Sequence, residues 1–350
     1  MKILINKNIS GLNNSFNFNI NNKSNLLIDL EELLILENKN IKRFDYEYKD
    51  LVSNLNLSDN IKWNKLLNNK IIEDRKSEIK EVLELLKSQN EYLDIYSSRV
   101  ELVNNLQKNV IDNKVTDVPE YNLNGTVTGR MTIKKGLNYL TMDKRTKSKF
   151  QSKWKTGKIV EIDLKSLEPF LYFKLRKNKE FKDVYTELNQ ILFNGKVDRS
   201  KCKIAIISCL YGAAINKISK LSGLTNKQSI ELREYLEFED FQKDLKIEFE
   251  ENGYFKNYYG RKIFKSNAPV NHYIQSTASD FSCYVYNKLL KEYDLNYFRP
   301  VAIIHDAIII DCHEKYLEEI TSRSFIDEDI INCKAQISVN ILNEEKIKRT

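Results

Sequence analysis

The sequence predicts an α+β protein in which a small sheet holds two carboxylates and a mostly helical insertion separates them along the chain. Three stretches lead to this. KIVEIDL (158–164) is an apolar, β-branched run that passes into a helix starting near Ser166, with Pro169 in the first turn, where a missing N–H costs little. VAIIHDAIIID (301–311) is two β-type runs parted by His305 and Asp306, the pattern of a hairpin with a polar tip. Between them 199–212, 226–251 and about 275–291 read as helices.

The chain has 350 residues, 41% of them apolar, which suits two domains and excludes disorder of the whole. No apolar run reaches the roughly 18 residues of a membrane span. The start MKILINKNIS lacks the apolar block and cleavage site of a secretory leader, so a cytoplasmic protein with no membrane partner is expected. Five cysteines (Cys202, Cys209, Cys283, Cys312, Cys333) form no CxxC pair, which predicts reduced thiols and neither a disulfide framework nor a zinc site.

Residues 1–25 are Asn-rich and suit a poorly ordered arm or a short hairpin. From Trp63 to about Val110 apolar residues recur at three and four, as in long helices. Pro119 and Gly125 break that pattern and short β-branched runs follow, so a boundary is expected near residue 120, between a region 1–120 and a region 121–350. Charge divides the chain similarly. Residues 1–120 hold 17 basic and 19 acidic side chains, whereas Arg130–Lys158 holds ten Lys or Arg against Asp143 alone. Such a run is either a solvated surface stretch or a match for a phosphate backbone.

An ionised Asp at the end of a buried strand needs a cap, a salt bridge or a cation. For Asp163 or Asp306 taken singly, a capping or turn role is the simpler explanation. Two of them on adjacent strands could instead hold two Mg²⁺ about 3.5 to 4 Å apart. On the helix 199–212, Arg199, Lys203, Ile207 and Tyr211 recur every four residues and form one stripe. The stripe is either solvated surface or, because the intervening IAIISCL is too apolar for a free helix, a pair of cations backed by core and suited to a triphosphate.

Thr128-Gly129-Arg130, Asp163 with Glu168 five positions on, Arg199-xxx-Lys203-xxxxxxx-Tyr211-Gly212, Gly260-Arg261, Asn271-xxx-Gln275 and His305-Asp306 follow one another in this order. In order and approximate spacing they resemble family A DNA polymerases, as in the polymerase portion of bacterial DNA polymerase I and its phage relatives. The resemblance covers about 121 to 320.

The resemblance implies a right-hand polymerase fold with a small antiparallel palm sheet, helical fingers at about 190–265 inserted in the palm, and a reduced helical thumb within 1–120. It implies two Mg²⁺, with Mn²⁺ able to substitute, on Asp163, Asp306 and the backbone carbonyl of Leu164. Arg199 and Lys203 would bind the triphosphate of a deoxynucleotide, with Lys203 also protonating the leaving pyrophosphate. Tyr211 would lie under the nascent pair and Gly212 would let its helix approach the template base. Arg130 and Gln275 would read the minor groove at the primer terminus, with Thr128, Asn271, Arg261 and His305 near the primer-template. Glu168 would close the space beside the ribose 2′ carbon, favouring DNA over RNA synthesis.

Three positions depart from the family's pattern. Ala307 stands where the family has Glu, Ile207 where it has Phe or Tyr against the nucleotide sugar, and Pro169-Phe170 where Leu-Arg is usual. Asp45-Tyr46-Glu47 has the form of an exonuclease motif, but residues 1–120 leave no room for the other carboxylates, so no proofreading is expected. A short thumb further implies low processivity or an accessory protein that supplies it. Two alternatives remain: a degenerate polymerase fold kept as a nucleic-acid-binding subunit, and the same fold using an RNA template or making an RNA product.

Overall fold

The computed structural model describes residues 2–6, 25–29, 92–123 and 125–343. The chain separates into two compact units, 1–104 and 105–350. In the first, Lys2–Asn6 pairs antiparallel with Asn25–Asp29, and Tyr92–Asn104 is a helix. Residues 63–91 and the Asp45-Tyr46-Glu47 triplet lie outside the described residues. The helical expectation up to Val110 is corrected at its end: Asn109–Ile111 is a strand paired with Lys114–Thr116. Asp112 and Asn113 between them take positive φ, 49° and 61°, as a two-residue hairpin turn requires and as these residue types tolerate. The same strand pairs with Phe150–Gln151, so the second unit begins ahead of residue 120.

The centre of the second unit is a five-stranded antiparallel sheet of β1 (Lys158–Leu164), β2 (Phe298–Ile304), β3 (Ala307–Cys312), β4 (Phe325–Glu328) and β5 (Cys333–Ile341). Their order is β2-β3-β1-β5-β4, which places β1 in the middle. Residues directly opposite in an antiparallel pair share a face. Ile162, Ile308 and Val339 therefore lie on one face, while Asp163, Ala307 and Ser338 lie on the other. Farther down that second face Ile159 and Ile309 are covered by Tyr139 and Phe150. One sheet face is thus apolar core at one end and carries an acid at the other.

The segment between β1 and β2 is mostly helical: α1 (Leu167–Lys177), α2 (Val184–Phe193), α3 (Arg199–Leu210), α4 (Ile215–Ser222), α5 (Asn226–Tyr235), α6 (Phe238–Asn252) and α7 (Pro269–Lys291). Its core gathers Tyr172, Leu188, Ile206, Leu232, Phe238 and Phe241. The single helix expected over 226–251 is two, broken at Glu237 with φ 49°. Leu236 and Phe238, two positions apart, would point to nearly opposite sides of a continuous helix; the break lets both be fully buried. The last helix begins at Pro269, ahead of the expected 275, with the proline at its first position. All five cysteines are buried and none is in a disulfide.

Candidate active site

Asp163 is the penultimate residue of β1, and Asp306 lies in the two-residue turn joining β2 to β3. Register places Ala307 directly opposite Asp163, so the two acids are brought to the same end of the sheet. The main chain around them is tied together. The Leu164 N–H donates to the Asp306 carbonyl at 3.0 Å. The Tyr286 hydroxyl, reaching from α7, is 2.8 Å from the Ile162 carbonyl and 2.7 Å from the Asp306 carbonyl. His305 takes a left-handed φ of 51°, which costs a non-glycine residue on the order of 1 kcal/mol and makes the turn tight.

Burial pushes the Asp163 carboxyl up to about 6, reinforced by the charges of Asp306 and Glu161 and opposed by Lys147 and Lys203. Burial also raises Asp306, against Arg130 and His305. Among the described residues neither carboxylate is in an ion pair. Like charges held together in a partly desolvated place call for a cation. An oxygen-only pair fits Mg²⁺, which uses one or two carboxylates and completes its shell with water and substrate phosphates. No three His, Cys, Asp or Glu gather into a metal-holding group among the described residues.

A cavity of about 440 Å³ opens beside Asp163, lined by Arg199 and Lys203 and also by Lys165, Lys179 and Lys182. The predicted stripe is present: Cys202, Ala205, Ile206 and Cys209 bury one side of α3, leaving Arg199 and Lys203 exposed on the other. Arg199 is not idle. Its Nε and Nη2 bind the Asp183 carboxylate at 2.6 and 3.1 Å, and its guanidinium lies 5.1 Å from the Tyr185 ring centroid, with Lys203 at 5.7 Å from the same ring. Sequence reasoning missed Asp183 and Tyr185. Their one signal was Asp183 as the helix cap ahead of α2, whose side chain accepts from the Tyr185 N–H.

A second constellation joins three distant motifs. Arg130 Nη2 meets Glu168 Oε1 at 2.5 Å, and Glu168 is 8% exposed. The Tyr211 hydroxyl lies close to both Glu168 and Gln275. Burial raises the Glu168 carboxyl, although Arg130 and Tyr211 both favour its charged form. Glu168 is therefore clamped in place. Asn271, one turn before Gln275 on α7, keeps a buried Oδ1 with no hydrogen-bond partner among the described residues.

One expectation changes. Arg261, expected near the primer-template, is 4% exposed and ion-paired with Asp280 through Nε and Nη2 at 3.0 and 2.9 Å. Its guanidinium fills the space where a Cβ on Gly129 would sit, 2.5 Å from Cζ, so it supports the Thr128-Gly129-Arg130 loop from beneath. Thr128 is buried there, its hydroxyl 3.2 Å from that of Thr126. Gly212, just after α3, takes a φ of 77° that favours glycine, and a Cβ there would meet Phe238 at an ordinary 3.8 Å.

The DNA polymerase family A model matches residues 24–348, nearly the whole chain. The chain belongs to DNA polymerase family A. Among solved structures, it is similar to the POL domain of Pol1 from M. smegmatis, solved in complex with DNA primer-template and dNTP, at 13% identity and a TM-score of 0.50. The match covers 89% of this chain and 63% of that one, so this chain spans less than two thirds of that domain's length. Among curated proteins no match is found. The structural likeness carries the fold, a mixed helix-and-sheet architecture of the POL-domain kind.

Ala307 is the residue that faces Asp163 across the β1–β3 pair. Glu161, two residues before Asp163 on the same sheet face, is ion-paired with Lys147 from the basic segment. In that segment Lys149 pairs with Asp112, while Lys134, Lys135, Lys153 and Lys155 are exposed. No helix among the described residues is long and apolar enough to cross a membrane.

Proposed function

We propose that this family A chain is a template-directed DNA polymerase adding deoxynucleotides to a primer 3′ end by two-metal phosphoryl transfer, with no proofreading. The observation that carries the reading is two unpaired carboxylates at one sheet end beside a cavity lined by Arg199 and Lys203. Asp163 and Asp306, with the Leu164 carbonyl, would hold two Mg²⁺ ions, which when bound neutralise charge on the attacking and leaving oxygens. In this reading the sheet is the palm, about 190–265 the fingers, and helices before residue 120 a reduced thumb.

Arg199 exchanges the Asp183 carboxylate for the triphosphate, a swap between two oxyanions that its fork geometry accommodates. Lys203, held over the same Tyr185 ring, binds the triphosphate and gives a proton to the departing pyrophosphate. Glu168, fixed by Arg130 and Tyr211, leaves no room for a 2′ hydroxyl and offers it no free partner. Gln275, Arg130, Asn271 and His305 face the primer-template, Thr128 supports the Arg130 loop from its buried side, and the exposed lysines of 134–155 follow the duplex backbone. Arg261 acts through the loop it supports, and Gly212 lets its helix approach the template base. A processivity partner would compensate for the short thumb.

Primer extension with Mg²⁺ tests the reading, run on DNA and RNA templates with deoxynucleotides and ribonucleotides separately. Extension on DNA with deoxynucleotides alone is expected. Duplex binding without extension would favour the nucleic-acid-binding subunit, for which Ala307 is the motivating feature; extension on RNA, or with ribonucleotides, would redefine the template or product.

A further inference from the structure

We propose that Tyr286 is a positioning residue whose hydroxyl sets the separation of Asp163 and Asp306. The proposal rests on the two-metal reading of those acids. Tyr286 is fully buried on α7, among Phe281, Val285, Leu289 and Leu290, which are themselves 0 to 2% exposed. Apolar packing of this kind anchors a helix without help from a hydroxyl, and a buried hydroxyl costs free energy unless it is bonded. Its place is explained by what it touches. One O–H stands between two carbonyl oxygens, that of Ile162 just before Asp163 and that of Asp306 itself.

The Leu164 N–H, just after Asp163, donates to the same Asp306 carbonyl. Asp163 is therefore flanked on both sides by bonds that end on, or beside, the Asp306 main chain, closing a ring through Tyr286. The ladder alone does not supply this: the Asp306 carbonyl lies in the turn between β2 and β3, where His305 is already strained. An aspartate has a short side chain, so the position of its carboxylate follows its backbone. Two carboxylates that share ions need their spacing held to about 0.5 Å, and a misplacement of about 1 Å can cost roughly a hundredfold in rate.

The test uses Tyr286→Phe in the full chain, with Leu289→Ala as a destabilised control on the same helix. Mn²⁺ binding without nucleotide is measured by electron paramagnetic resonance, alongside primer extension at saturating Mg²⁺. Tyr286→Phe should weaken Mn²⁺ binding by about five- to tenfold and lower kcat by about tenfold with an unchanged deoxynucleotide KM, whereas Leu289→Ala should lower the melting temperature and leave Mn²⁺ affinity alone. Parental Mn²⁺ affinity in Tyr286→Phe, or an equal loss in both variants, overturns the inference. Should the phenylalanine variant not fold, 4-aminophenylalanine at position 286 keeps a weaker donor in place. It must then bind Mn²⁺ less tightly at a parental melting temperature, and parental affinity there overturns the inference too. Failure of the underlying reading is distinct: the parent would bind no Mn²⁺, or Asp163→Asn would bind it as well as the parent.

Discussion

Asp163 and Asp306 stand on backbone that is hydrogen-bonded around both residues, whereas Arg199 and Lys203 reach their places on long side chains from one exposed face of a helix. The anions have little freedom beyond the backbone that carries them. The cations can move: Arg199 already holds an oxyanion, Asp183, in place of a phosphate. The difference suits their proposed tasks, since ions at a reaction centre need fixed ligands and a triphosphate that enters and leaves needs exchangeable ones.

The largest effect should come from the fixed half. Asp163→Asn or Asp306→Asn keeps side-chain volume, and neither carboxylate is in an ion pair among the described residues, so folding and duplex binding should survive. Extension should fall by roughly a thousandfold or more, because ion-assisted charge stabilisation contributes several kcal/mol. Near-normal extension in either variant would remove the central claim.

Glu168 belongs to neither half; it is locked between Arg130 and Tyr211. Glu168→Ala should raise ribonucleotide use relative to deoxynucleotide, as a ratio of kcat/KM values, by about a hundredfold. Glu168→Gln, which keeps the bulk, should retain most of the discrimination. If the alanine variant keeps the parental ratio, Glu168 is not the gate.

Parts of both halves were legible in the sequence. The β-branched runs around Asp163 and His305-Asp306 and the four-residue spacing of Arg199, Lys203 and Tyr211 are periodic signals; register brings the two acids to one end of the sheet, and one cavity is lined by Asp163, Arg199 and Lys203. What was hidden depends on contacts between residues far apart in the chain. Arg261 reads as a cation beside a glycine and gives no sign that Asp280 neutralises it in the core. Tyr286 is one of 19 tyrosines, and its two carbonyl partners carry no side-chain signature. The break at Glu237 was hidden because apolar residues run densely through 230–249 and a positive φ at a glutamate has no signature in the sequence.

The exchangeable half is sharpened by Asp183→Asn, which keeps the helix cap but removes the charge that holds Arg199. An exposed pair is worth about 0 to 1 kcal/mol, so the deoxynucleotide KM should fall, by at most about fivefold. A rise in KM would mean that Asp183 orients Arg199 for the phosphate rather than competing with it.

The smallest effect concerns stability, and it tests whether the acids really share an unneutralised place. Asp163 titrates at about 6 in the folded chain against an ordinary 3.8. Below about pH 4 the carboxyl is neutral in both states and contributes nothing. As pH rises from 4 to 6, the unfolded chain gives up its proton while the folded chain holds on, so stability is lost, and above about 6 the loss is constant. Asp163→Asn has no such proton. In a chelating, metal-free buffer the variant should therefore match the parent near pH 4 and exceed it above pH 6, by about 1 kcal/mol once screening of this partly exposed group is allowed for. Added Mg²⁺ should stabilise the parent and leave the variant unchanged, because only a chain that binds the ion when folded gains from it. Melting curves at several pH values decide the matter: equal stability of parent and variant at every pH would mean that neither burial nor Asp306 opposes the charge on Asp163, and the case for a cation between the two acids would lose its electrostatic basis.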